Sequence, residues 1–91
     1  MVRYTILRLE QVVGPLVQYW IMPKKIRELK AMLRKAGFFP RPGKGSHTIW
    51  EHPDLDDDFT LSGGDGNDAK PYQEKNVREL LRKLKEVQSE Q

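Results

Sequence analysis

The sequence contains no cysteine. A disulfide scaffold, a thiolate zinc site, an iron–sulfur cluster and a cysteine nucleophile are therefore excluded, and the absence fits a cytoplasmic protein. Histidine is scarce as well, with only His47 and His52 present. Five positions apart, on a strand they point to opposite faces and cannot chelate one metal between them. Long apolar runs are missing. The longest uncharged stretch, residues 11–23, is interrupted by Gly14-Pro15 and is too short to cross a bilayer. No small-residue cleavage site follows it, so a secretory signal is not expected either. Internal repeats and low-complexity linkers are absent, and 91 residues leave room for one domain with at most an appendage.

What the chain does have is charge, at 32% of residues against 37% hydrophobic. The net charge of +3 conceals an asymmetry. Residues 23–53 hold eight Lys/Arg against two Glu, a local +6, whereas residues 54–68 hold six Asp and no base. A basic half of a small domain is a footprint for polyanions, although charge alone is equally a solvated surface.

Residues 1–22 are apolar and charge-poor, and the patterned region begins behind them. We therefore divide the chain into an N-terminal extension, 1–22, and a domain, 23–91. Val2, Tyr4 and Ile6 alternate with Arg3 and Thr5, which suggests a short strand in the extension. Met22 is a possible alternative start. From Pro23, the apolar residues Ile26, Leu29, Met32, Leu33 and Ala36 recur at helical spacing opposite Lys24, Lys25, Arg27, Lys30, Arg34 and Lys35. Gly37 is a natural helix terminator, so a helix is expected at about 23–36. Phe38–Arg41 reads as a short strand that Pro40 confines to a sheet edge. His47–His52 and Asp58–Leu61 read as two further strands. A helix over roughly 72–88 follows, starting at Pro71 or Asn76, with Val77, Leu80, Leu81, Leu84 and Val87 inward. The order is helix, three-stranded meander, helix: an α+β fold with both helices on one face of the sheet.

Few motifs in this frame carry chemistry. Asp54, Asp56 and Asp58 have the spacing of a calcium loop, but its sixth and twelfth positions would be Phe59 and Asp65. Gly43-Lys44-Gly45-Ser46 resembles the end of a phosphate loop, yet the upstream glycine is missing and a strand follows. No metal or cofactor site is assigned. One constellation survives. Gly43-Lys44-Gly45-Ser46-His47 puts an imidazole at the mouth of a glycine turn beside a lysine, with Arg41 just upstream. Glycines let backbone N–H groups approach an anion, and Lys44 and Arg41 are placed to hold phosphate. An exposed histidine can take the proton of a ribose 2′-hydroxyl, which is metal-independent RNA cleavage. Taken alone this pattern is weak, because a Gly-Lys-Gly turn before a strand is commonly just a turn.

Lys25-Ile26-Arg27-Glu28-Leu29, Lys35-Ala36-Gly37-Phe38, Gly43-Lys44-Gly45-Ser46-His47 and His52-Pro53-Asp54 recur together at these spacings. In them the sequence, from about residue 23 to 88, resembles the HicA, or YcfA-like, family of toxins. It implies a fold like the double-stranded-RNA-binding domain and a small ribonuclease that cleaves mRNA and is neutralised by a HicB antitoxin. It also implies that His47 is the catalytic residue; the turn around it makes Lys44, Arg41, Gly45 and Ser46 the expected RNA-binding residues. The sequence departs from the commoner pattern at Thr48, where many members have a second His, and in a long acidic loop over Gly63–Tyr72. Trp50 is a core residue or a base-stacking one, and His52 a hydrogen-bonding residue at a strand end. Two classes of function stay open on the sequence: a ribonuclease toxin using His47, and a non-catalytic RNA- or partner-binding module of the same fold.

Overall fold

A computed structural model of the protein describes residues 23–91. The elements are α1 (Ile26–Lys35), β1 (Phe39–Pro42), β2 (Thr48–Glu51), β3 (Phe59–Leu61) and α2 (Pro71–Ser89), an α-β-β-β-α order and an α+β fold. The extension and the strand expected in it lie outside the described residues.

Helix α1 forms for the reason its periodicity indicates: Ile26, Leu29 and Leu33 are buried, with Met32 and Ala36 packed beside them. Its start is at Ile26, not Pro23. Helix N–H groups of the first turn need acceptors from elsewhere, and a distant loop supplies them. The N–H of Ile26 donates to the Asn67 carbonyl at 2.9 Å and that of Arg27 to the Asp65 carbonyl at 3.2 Å. Lys25 is extended and bridges to Asp68, and the Ala69 N–H donates to the Lys24 carbonyl at 2.7 Å. The Glu28 carboxylate then reaches back to accept from the Lys25 N–H at 2.6 Å.

The end of α1 is a Schellman motif. Gly37, at φ +100°, donates to the Arg34 carbonyl, and Phe38 donates to that of Leu33, both at 3.0 Å. Phe38 is thereby turned into the core, so β1 begins one residue later than expected, at Phe39, and all four of its residues are exposed.

The sheet order is β1-β2-β3, antiparallel throughout, which leaves β1 and its two prolines on an edge. Pro40 pairs with Trp50, Arg41 with Ile49, Thr48 with Leu61 and Trp50 with Phe59. The two-residue period puts Thr48, Trp50, Phe59 and Leu61 toward the helices and Arg41, Ile49, Glu51 and Thr60 on the open face. Trp50 is fully buried. Its Nε1–H donates to the Thr48 hydroxyl at 2.8 Å, which donates to the Leu61 carbonyl at 3.3 Å. Base stacking is thus not available to Trp50.

His52 closes the connection between helix and sheet. Its Nδ1 accepts from the Asp54 N–H at 3.0 Å, so the hydrogen sits on Nε2, which faces the carbonyl of Ala36 at 3.2 Å. The ring also stands edge-on to Phe38, with centroids 5.0 Å apart.

Helix α2 starts at Pro71, where a missing N–H is harmless. Val77 and Leu84 are buried, and Leu80 and Leu81 pack against the core, whereas Val87 is only half-buried. Two basic residues, Lys25 at the N-cap of α1 and Lys30 within it, are paired with the acidic loop, Lys25 with Asp68 and Lys30 with Asp65 at 2.6 Å. The hydrogen bond from Lys30, and then its charge, hold the Asp65 carboxyl below its ordinary range. A carboxyl lowered in the folded state favours folding above its ordinary range, and that contribution fades as pH falls through the lowered value. No helix among the described residues is long and apolar enough to cross a membrane.

Two outcomes are expected. His52→Ala, which orphans a helix-end carbonyl and a turn N–H, should lower stability by about 2 kcal/mol in urea unfolding. A chain beginning at Met22 should retain its secondary structure and unfold cooperatively; non-cooperative melting would make residues 1–22 part of the fold.

Candidate active site

The β1–β2 connection is a five-residue loop, Gly43–His47, closed at both ends by backbone hydrogen bonds. Gly43 N–H donates to the His47 carbonyl at 3.0 Å, and His47 N–H donates to the Lys44 carbonyl at 2.9 Å. The glycines are placed for distinct reasons. A Cβ at Gly43 would meet the Cβ and carbonyl oxygen of His47 at 3.2 Å, so only glycine admits this closure without displacing the histidine. Gly45 sits at φ +57°, a left-handed conformation that most residues adopt only with strain.

His47 is exposed, and its Nδ1 lies 2.8 Å from the same Lys44 carbonyl that accepts its backbone N–H. A carbonyl only accepts, so Nδ1 carries the hydrogen and, in the neutral ring, Nε2 keeps its lone pair. Main-chain geometry therefore sets the tautomer, and no other side chain is needed to do so. The ring is pinned by one edge and basic at the other. The Ser46 hydroxyl accepts from the Gly63 N–H at 3.3 Å, tying the turn to the loop after β3 while its own hydrogen stays available. Lys44 is exposed and makes no ion pair among the described residues.

His47 forms part of the rim of a polar concavity of about 170 Å³. The rest comes from β3 (Phe59, Thr60 and Leu61), from Ser62 just after it, and from the first two turns of α2, Tyr72, Gln73 and Asn76. Gln73 is the fastener. Its amide nitrogen donates to the Ser62 carbonyl at 2.9 Å, and its oxygen accepts from the Lys70 N–H, also at 2.9 Å. Tyr72, Gln73 and Asn76 had no motif to betray them, since only the docking of α2 beside β3 brings them to His47.

Not every residue expected at the site arrives there. Arg41 lies on the open face of the sheet, where its guanidinium meets Asp58 at 3.0 Å and Glu51 at 3.5 Å. It does not line the concavity, and a phosphate at Arg41 would compete with two carboxylates. His52 is likewise remote in role, both ring nitrogens being occupied by backbone. The larger concavity of the molecule, about 720 Å³, runs between the helices over Met32, Ala36, Leu81 and Leu84. Its polar residues, Lys35, Arg82, Lys85 and Gln88, include no histidine.

A family model described as the HicA toxin of bacterial toxin–antitoxin systems matches residues 26–87. The chain belongs to the HicA toxin family. The match begins at the first residue of α1 and ends within α2, so four elements, all but the last two residues of α2, the Gly43–His47 turn and the concavity fall inside it. No curated protein and no solved structure matches the chain. Membership in the HicA family makes it the toxin of a toxin–antitoxin pair, and an antitoxin partner goes with that role.

The turn yields a test of its own. Gly43→Ala should shift His47 by a few tenths of an ångström while leaving the core untouched. Any activity that depends on His47 should fall, on the order of 10-fold or more, with little change in thermal unfolding.

Proposed function

We propose that this HicA toxin is an endoribonuclease that cleaves mRNA without a metal, with His47 as its general base. The observation that supports this reading most is the Nδ1–H···O=C bond to Lys44, which leaves Nε2 free on an exposed ring beside an unpaired lysine. Nε2 takes the proton of a ribose 2′-hydroxyl, and the 2′-oxygen attacks the adjacent phosphorus. The bond to the 5′-oxygen breaks, and that oxygen takes up a proton from solvent. The products are a 2′,3′-cyclic phosphate and a 5′-hydroxyl. Lys44 offsets the charge that builds on the phosphorane, and the Gly45 N–H and Ser46 hydroxyl supply donors to its oxygens. Arg41 contributes to phosphate binding only where RNA draws it from Asp58 and Glu51. Among the described residues no three His, Cys, Asp or Glu side chains gather to hold a metal ion.

The partner that fits is a HicB-like antitoxin of acidic or neutral surface, seated over the basic face and the His47 turn. Such charge complementarity speeds association and weakens with salt. An mRNA substrate places the activity in the cytoplasm.

His47→Ala should lose RNA cleavage by about 10²–10⁴-fold and lose toxicity, and its urea midpoint should stay near that of the wild type because the ring fills no core space. EDTA should leave the wild type active. Lys44→Ala should weaken RNA binding and lower the salt slope by about one. Cleavage by purified His47→Ala at the wild-type rate, or loss of wild-type cleavage on chelation, would overturn the mechanism and leave an RNA- or partner-binding module.

A further inference from the structure

The concavity next to His47 holds more polar groups than proton transfer requires. Its back wall is rigid. Gln73 bonds both the carbonyl and, at 3.3 Å, the hydroxyl of Ser62 through its amide nitrogen and accepts from the Lys70 N–H through its oxygen, so both ends of its buried amide are held by the wall itself. Two side chains at the mouth are differently placed. Tyr72 and Asn76 are one helical turn apart on α2, on the same side, and both are exposed. Tyr72 is one of only two large apolar side chains exposed among the described residues, at 55%. Asn76 makes no hydrogen bond to another protein group through its side chain within the described chain. An aromatic face and an unspent amide, side by side over a polar hollow, are the two elements that single-stranded RNA recognition uses: a platform for stacking and a donor–acceptor pair for a base edge.

We infer that this concavity is a nucleobase pocket, in which Tyr72 stacks on the base next to the scissile phosphate and Asn76 reads its edge. The inference rests on the ribonuclease reading for the position of the phosphate, but the pocket can be tested without catalysis. Its volume of about 170 Å³ is on the scale of one planar base. A base seated there lies beside His47, so its own ribose is the one whose 2′-hydroxyl meets Nε2. Tyr72 and Asn76 would then determine where the toxin cuts, and His47 that it cuts.

The probe is a single-stranded RNA with 2′-fluoro in place of the 2′-hydroxyl at every position, which has no attacking hydroxyl, together with a randomised cleavable RNA whose cut sites are sequenced. Tyr72→Ala should weaken binding of the uncleavable strand about 10-fold, the scale of one lost base stack, and Tyr72→Phe should restore it. Asn76→Asp exchanges the amide donors for acceptors and should change the preferred base at one position of the cut site, leaving unfolding unchanged. If both Tyr72→Ala and Asn76→Asp bind and cut as the wild type does, the pocket assignment is wrong while the role of His47 stands. If the wild type binds the uncleavable strand and the variants do not, but cleavable RNA stays intact, the pocket stands and the nuclease reading falls. Failure of the wild type to bind either strand would overturn both.

Discussion

The burial of Trp50 sets the parity of the whole sheet. With its ring fully enclosed and its N–H passed on through Thr48 to the Leu61 carbonyl, β2 has only one face it can turn to the helices. A slip of one residue would expose Trp50 and bury Glu51, so the register is strongly fixed. Thr48 pairs with Leu61, and the next position back is His47, with Ser62 beyond Leu61 on the facing strand. The same indole that closes the core therefore brings the histidine alongside the end of β3 and the start of α2. Replacing a ring of this size in a core costs about 3–5 kcal/mol, a large share of the stability of a domain this small. Core and site are accordingly not separable at this position.

Much of this was legible in the sequence because it is local. The apolar stripes of both helices, the terminating Gly37, the edge-confining Pro40 and the tight Gly43–His47 turn each follow from residues within a few positions of one another. Most of the misreadings are long-range. Pro23 is a good first-turn residue, yet α1 waits for Ile26 because the acceptors for its N–H groups come from Asp65 and Asn67, some forty positions away. Phe38 and Phe39 look alike in sequence, and only the Schellman geometry decides that the first is core and the second exposed. Arg41 reads as a free cation beside a turn until the sheet sets Glu51 and Asp58 against it. Tyr72, Gln73 and Asn76 read as the ordinary start of a helix.

The acidic stretch also acquires a meaning that composition hides. Three of its six aspartates are set directly against basic residues. Asp65 and Asp68 lie across α1 on Lys30 and Lys25, and Asp58 lies on Arg41. Exposed pairs of this kind add little stability each, so their larger effect is on which cations remain available to a polyanion. On the turn itself that leaves Lys44, and on α1 and just before it Lys24, Arg27, Arg34 and Lys35, all exposed. Arg34 has a second attachment, its guanidinium lying 5.4 Å from the centre of the Trp50 ring.

The two histidines show how hydrogen bonding assigns chemistry to otherwise equal side chains. His52 accepts at Nδ1 from a backbone N–H, which leaves its hydrogen on Nε2, and that hydrogen goes to the carbonyl that ends α1. Both nitrogens are committed, and the ring is packed against Phe38. His47 donates at Nδ1 to a backbone carbonyl, which places the lone pair on Nε2, and nothing within the described chain occupies it. The opposite tautomers arise from opposite backbone partners, a turn N–H in one case and a turn carbonyl in the other. Exchanging those partners would exchange the roles. An imidazole can serve as a base only where its second nitrogen is spared by the fold, and in this domain that condition is met at the mouth of the glycine turn, beside the concavity that α2 closes against β3.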